Sequence, residues 1–489
     1  MEKPTKEKQF LGHPRGLLTL SMTEFWERFS YYGMRAILIY YMYYSVAKGG
    51  LGFSQATALS IMSIYGSLVY LSSTIGGFIS DRLLGARKTV FWGGVLIMLG
   101  HVLLSMPAGA TALFGSIILI VLGTGLLKPN VSEMVGNLYS EKDIRRDSGF
   151  SIFVMGINFG SLLAPLIVSW FQAKYNFHVG FSLAAFGMAV GLIFYVVDGR
   201  KYINSVDNQA PDPISSDELR PLLGKIGIGV LLVAILLAIM GVTGSLNVTN
   251  VISLITIFAI AVPIVYFWMM LRSKKGHQSR ALPGLGVCAL FLASVIFWAI
   301  EESGSSVLAV FAANQTQLHF AGLHILPGWF QMLNPLFILL YGPIFARLWV
   351  KMGEKQPSSP KKFSYGLVLA GLSYLVMMLP LMVSGISARV SPLWLVLSWA
   401  IVEIAEMLIS PVGLSVTTKL APKAFASQMM SMWFLSDAAG QAINAQLVRF
   451  YTPGTEMVYF GIIGALTVVF GLLMLFIVPR IEKLMQGVN

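Results

Sequence analysis

Near the start of the chain, Glu24, Glu27, Arg28 and Arg35 interrupt an apolar and aromatic run, with Tyr31 and Tyr32 between them. At about 100° per residue on a helix, positions 24, 27, 28, 31 and 35 fall within about a third of the circumference, so they make one polar stripe. Further ionisable residues break later apolar runs: Lys128 in GTGLLKPN, Glu301 and Glu302 in FWAIEESGSS, and Glu403 and Glu406 in IVEIAEMLISP. Groups of this kind exchange protons and grip small molecules that carry both signs of charge. A lipid-exposed charge at mid-membrane costs roughly 2.5–3.5 kcal/mol on the lenient insertion scale, so each needs a partner or a wet cavity. A structural ion pair that fixes helix register explains any single pair equally well. It does not explain the whole set, in which acids outnumber bases across several runs. A charged central cavity does.

The elements that position these residues must be membrane helices. The chain has 489 residues, of which 56% are hydrophobic and 11% charged, and its mean hydropathy is +0.74; a water-soluble fold cannot cover its surface from such a composition. Apolar stretches recur at the length a helix needs to cross a hydrocarbon core of about 30 Å, and β-barrel alternation is absent. The expected fold class is an all-α polytopic membrane protein. Fourteen spans are predicted, at 16–46, 54–83, 87–107, 109–137, 145–174, 177–197, 220–243, 249–272, 283–314, 328–353, 362–386, 391–419, 422–452 and 455–484.

With the chain starting inside, most basic residues fall on inner segments, among them Lys6, Arg15, Arg87, Lys88, Lys142, Arg145, Arg146, Lys274, Lys275, Arg280, Lys361, Lys423 and Arg480. The outer segments keep Lys48, Lys174, Arg389 and Arg449. The positive-inside rule then places the protein in the cell membrane with both termini cytoplasmic. The net charge of +12 marks one membrane face, and a nucleic-acid partner is not expected. The single cysteine, Cys288, excludes an intramolecular disulfide. The segment after the charged N-terminus is too long and too aromatic for a cleavable leader. No HExxH, GxSxG, Walker loop or Cys–His pair is present, so neither an enzyme nor a metal centre is expected.

The polar stretch DGRKYINSVDNQAPDPISSDELR near 198–220 separates two halves. Gly77-x-x-x-Asp81-Arg82-Leu83 is echoed by Gly342-x-x-x-Ala346-Arg347-Leu348, which suits the two related six-helix bundles of a major facilitator fold with two extra helices between them. The expected organisation is a cytoplasmic N-terminus at 1–15, a bundle at 16–197, a linker with two helices at 198–282, a second bundle at 283–484 and a cytoplasmic tail at 485–489.

Several motifs carry a resemblance: Glu24-x-x-Glu27-Arg28-Phe29-x-Tyr31-Tyr32-Gly33, Gly123-Thr124-Gly125-Leu126-Leu127-Lys128-Pro129-Asn130, Gly156-Ile157-Asn158-Phe159-Gly160, Phe297-Trp298-x-x-x-Glu302 and Glu406-x-x-x-Ser410-Pro411-x-Gly413-Leu414. Over essentially its full length the chain resembles the proton-coupled oligopeptide transporter family of the major facilitator superfamily, in its bacterial form. The resemblance implies uptake of di- and tripeptides driven by protons, with no other cofactor and a monomer in the lipid bilayer. It implies proton coupling by Glu24, Glu27, Arg28, Lys128 and Glu302. Arg35 and Lys128 would receive the peptide carboxylate and Glu406 the amino group, with Asn158 and Asn334 on the backbone and termini. Tyr31, Tyr32, Tyr70 and Trp433 would line side-chain pockets, and Asp81 and Arg82 would gate the inner side. The chain departs from the family pattern at Ser303, where Gln is usual, at the extra acid Glu301, and at Val154, where Tyr is usual. Either Glu301 or Glu302 can face Arg35, and Glu302 is favoured. A symporter of another solute such as nitrate, or a peptide sensor without transport, is the alternative.

Overall fold

A computed structural model describes residues 9–140, 143–203, 205–272, 282–386, 388–420 and 426–485. Of the expected terminal tails at 1–15 and 485–489, residues 1–8 and 486–489 lie outside the described residues, as do Lys142, Lys274, Lys275, Arg280 and Lys423. In lipid the backbone must satisfy its own hydrogen bonds, so the apolar runs fold as helices. These are α1 (Arg15–Tyr43), α2 (Gln55–Ile79), α3 (Ala86–Ser105), α4 (Gly109–Asn137), α5 (Arg146–Lys174), α6 (Phe177–Tyr202), α7 (Ser216–Val242), α8 (Val248–Arg272), α9 (Leu282–Glu301), α10 (Val307–Asn314), α11 (Leu333–Met352), α12 (Ser359–Ser384), α13 (Leu393–Leu420), α14 (Ala426–Leu447) and α15 (Glu456–Leu484). Two short hairpins, β1 (Gln9–Phe10) with β2 (His13–Pro14) and β3 (His319–Phe320) with β4 (Leu323–His324), and several short helical turns accompany them.

Twelve helical segments among the described residues are long and apolar enough to cross a membrane. To these α1 and α14 add 29 and 22 residues; their length suffices, and the polar residues of the site set their composition apart. The fourteen spans of a major facilitator fold with two extra helices are thus in place.

Several boundaries differ from the sequence expectation for identifiable reasons. The end of α6 lies at Tyr202 rather than 197, because Asp198 accepts a hydrogen bond from Thr19 at 2.6 Å and pairs with Arg15 at 3.5 Å, which holds the last turns against α1. Helix α7 starts at Ser216 rather than 220, since Ser215 and Glu218 form a capping box. The span expected to run unbroken over 283–314 is divided by a tight 3-10 turn, Glu302–Ser305. At the far end of α14 the helix stops at Leu447 and a 3-10 turn, Val448–Phe450, follows.

Helix α1 packs against α5 and α6, α4 against α2 and α3, and α3 against α6; in the second half α9 packs against α12 and α14, and α12 against α13 and α15. Small residues let these helices touch backbone to backbone. A Cβ on Gly123 would lie 2.6 Å from the Gly93 carbonyl oxygen, and one on Gly371 would lie 2.6 Å from that of Gly464. Of the two inserted helices, α8 packs on α2 and α14, whereas α7 buries none of its residues.

The halves meet mainly where α2 crosses α14 and where α5 meets α11 and the turn Pro327–Met332 before it. Side-chain hydroxyls and an indole donate across this seam to carbonyl oxygens: Tyr40 to Ala309 at 3.0 Å, Ser60 to Ala445 at 2.8 Å, Ser67 to Ala438 at 2.7 Å and Trp329 to Leu166 at 3.2 Å. All four lie from mid-membrane outward, toward the side away from the start of α1 and the end of α15.

Candidate functional site

The stripe on α1 is buried, with Glu27 at 0% exposure and Arg28 at 5%. Glu24 and Arg28 stand one helical turn apart, and the Arg28 Nε lies 3.1 Å from the Glu24 carboxylate while also bonding Glu27. Two turns on, Arg35 bonds Glu302 and donates to Ser305 Oγ at 2.8 Å. The Tyr31 ring sits between the two guanidinium groups, 5.3 Å from that of Arg28 and 5.7 Å from that of Arg35, a cation–π arrangement that orders both. Tyr32 meets Tyr31 edge to face at 5.2 Å.

The break after Glu301 separates the two neighbouring acids. Glu302, first residue of the 3-10 turn, reaches Arg35 on the other half, and Glu301 stays inside its own half. There the Asn334 amide donates to Glu301 at 2.9 Å and to Glu403 at 2.8 Å. Glu403 in turn shares a hydrogen bond with Glu406, and carboxylate oxygens of Glu301, Glu403 and Glu406 lie within 4.8 Å of one another. Among the described residues no base bonds this trio. Carboxyl groups at that spacing share protons or take up a cation.

Lys128 does not join the Glu24–Glu27–Arg28 group through an ion pair among the described residues. Its Nζ lies 4.2 Å over the Tyr70 ring, and Tyr70 stacks on Phe434 of α14 at 6.4 Å. A residue that sequence reasoning passed over completes this corner. Asp437 on α14, 3% exposed, accepts from Gln441 at 2.7 Å and from Tyr70, with Lys128 and Glu302 in its electrostatic surroundings. Its signal was a lone acid in the run SMWFLSDAAGQAINA.

Other expected site residues have packing or hydrogen-bond partners of their own. Trp433 packs between Trp298 and Phe363, with ring centres 6.4 and 6.5 Å away, and so belongs to the wall of the second half. Asn158 is buried and returns its amide to the Val154 carbonyl one turn back at 2.9 Å. Asp81 is exposed just after α2, in the turn Ser80–Leu84, and Arg82 bonds Asp212 of the linker and, at 2.6 Å, Glu218 in the first turn of α7. The linker also pairs its backbone with that turn, Asp212 N–H to Asp81 O and Ile214 N–H to Arg82 O, both 3.0 Å. Asn137 donates to Asp207 of the linker at 2.8 Å. Burial pushes the Asp207 carboxyl above its ordinary value, opposed in part by Asn137 and Arg87.

Around this centre several buried polar atoms have no hydrogen-bond partner, including Glu24 Oε2, Glu27 Oε1, Arg35 Nε, Glu403 Oε2 and Glu406 Oε2. Buried atoms of this kind call for water or a guest. The site offers guanidinium and ammonium groups on the first half and a trio of carboxyls on the second.

A family model described as the POT family matches residues 87–468. A di-/tripeptide transporter of Lactococcus lactis subsp. cremoris is 49% identical, over 99% of each chain. An uncharacterized transporter of Bacillus subtilis (strain 168), YclF, is 51% identical over 99% of this chain and 98% of that one. Among solved structures, the crystal structure of a peptide transporter POT in complex with sulfate superposes with a TM-score of 0.95 at 54% identity, covering 98% of each chain.

Proposed function

The chain belongs to the POT family, and from that premise we propose that it takes up di- and tripeptides by proton-driven symport across the cell membrane, its two halves rocking about the central cavity. The observation that carries this reading is the arrangement of ionisable groups on the two facing halves: Arg28, Arg35 and Lys128 beside Glu24 and Glu27 on one, and on the other Glu301, Glu403 and Glu406, which no base bonds among the described residues. A peptide is a zwitterion whose carboxylate and ammonium ends match the two walls. An extended chain spans about 3.3–3.6 Å per residue, so the distance between its charged ends sets which lengths fit. Free amino acids and long peptides are disfavoured by the same geometry.

Protons are the coupling ion in this reading. A proton on Glu302 removes the charge that Arg35 holds and loosens the one ion pair described between the halves; a proton on Glu24 or Glu27 does the same to Arg28 within α1. Each charge moved across the membrane contributes about 2.3 kcal/mol per 100 mV, enough to concentrate substrate. The cross-half bonds on the side away from the termini support a form closed on that side, which is the outer side if both termini are cytoplasmic. The likeness to a di-/tripeptide transporter favours peptide over nitrate, and the acid trio favours a ligand with an ammonium end over a simple anion.

Counterflow in proteoliposomes preloaded with dialanine tests the substrate class. Exchange that is competed by di- and tripeptides and left unchanged by free alanine or nitrate supports the proposal; competition by nitrate would replace it with the anion reading.

A further inference from the structure

The sequence Leu318-His319-Phe320-Ala321-Gly322-Leu323-His324-Ile325 joins α10 to the turn before α11, on the side of the membrane away from the termini. Strands β3 and β4 pair with His319 opposite His324 and Phe320 opposite Leu323. Ala321 and Gly322 both have positive φ, 51° and 78°, the conformation of a two-residue hairpin turn whose twist suits the strands. Ile325 N–H donates to Leu318 O at 2.7 Å, so the hydrogen-bonded rungs fall on either side of the His319–His324 pair. That pair is a non-hydrogen-bonded one, where opposite side chains share a face and approach most closely. Both residues are exposed, and their ring centres lie 4.5 Å apart with planes inclined at 43°.

We propose that His319 and His324 form a binding site for a divalent transition cation of the zinc and copper class, held by one nitrogen from each imidazole with water in its remaining positions. Metal–nitrogen bonds of about 2.0–2.1 Å put ring centres roughly 4.5 Å apart for ligands at a right angle and roughly 5.2 Å apart for tetrahedral ones, and the observed 4.5 Å lies within reach of both. The turn and the ladder order both backbones beforehand, so binding requires only side-chain rotation. Imidazole nitrogens select zinc, copper and nickel over magnesium and calcium, which prefer oxygen. The site differs in ligand chemistry and in depth from the buried carboxyl trio. A coordinating imidazole must be neutral, so protons compete with the cation for both nitrogens.

The test is calorimetric titration of zinc chloride into the full-length protein in detergent, after removal of any polyhistidine tag, at pH 7.5 and 5.5. Binding of one equivalent at pH 7.5 is expected, weakened at least tenfold in His319→Gln, in His324→Gln and at pH 5.5, and retained in Glu403→Gln. The melting temperature without zinc should match the parent's in His319→Gln and His324→Gln, and zinc should raise it only where both histidines remain. Absence of zinc binding by the unaltered protein overturns the proposal, as does binding that survives both histidine substitutions or depends on Glu403.

Discussion

Arg35 on α1 and Glu302 after α9 are bonded to each other across the two halves of the chain, with Ser305 Oγ as a second acceptor for the same guanidinium. A hydrogen bond to a charged group is worth about 1.5–3 kcal/mol, so protonating Glu302 weakens the seam by an amount that can shift its opening tenfold or more. Glu302→Gln fixes the neutral form. Proton-driven accumulation of dialanine is expected to fall at least tenfold while counterflow, which needs no net proton movement, persists. Equal proton-driven uptake by variant and parent would contradict the assignment.

Glu27 is the more buried of the two acids on Arg28, and Glu24 remains 3.1 Å away when Glu27 is neutralised. The fold should therefore survive Glu27→Gln, whereas the response of uptake to external pH should flatten. Measured between pH 5.5 and 7.5, a variant that still concentrates peptide in step with the gradient would remove Glu27 from the coupling path.

Asp437 places a carboxyl group beside Lys128 and Tyr70. In Asp437→Asn the Lys128 ammonium loses that competitor for a peptide carboxylate. Dipeptide binding should tighten severalfold while net proton-driven uptake declines, a split that simple loss of packing would not produce. Direct binding measurements giving the same Kd for variant and parent would set Asp437 aside as a structural acid.

The linker offers a prediction about pH and stability. Burial raises the Asp207 carboxyl above its ordinary value, so the folded state holds that proton more tightly than the unfolded chain. The stability this contributes is fully present below the unfolded value near 3.9 and is lost as pH rises through the higher folded value. At neutral pH the buried carboxylate is therefore a cost. Asp207→Asn keeps an acceptor for Asn137 and should melt higher than the parent at pH 7.5, with the difference vanishing toward pH 4. A lower melting temperature at pH 7.5 would contradict this account.

The membrane class, the spans and the acid and base residues were legible because a charge inside an apolar run stands out in one dimension. Which charges meet was not. Glu301 and Glu302 are neighbours in sequence, and what sends one to Asn334 and the other to Arg35 is the turn at Ser303-Gly304-Ser305, where a Cβ on Gly304 would meet the Trp399 ring at 2.2 Å. That close approach comes from a residue on α13, far along the chain. Asp437 escaped notice for a related reason: it lies among Ser436, Ala438, Ala439 and Gly440, which read as close packing, and its significance comes from Tyr70 and Lys128 on α2 and α4. Trp433 and Asn158 were expected at the site through the family resemblance alone, and their ring contacts and backbone bond were not legible in one dimension.

The central claim is that peptide movement is coupled to protons through this charged cavity. Uptake of labelled dialanine into proteoliposomes, with an inward proton gradient and a negative inside potential, tests it most directly. Accumulation above the external concentration that collapses on adding an uncoupler, and that short peptides alone compete, is the predicted result. Uptake that only equilibrates, or that is indifferent to the uncoupler, would contradict proton symport.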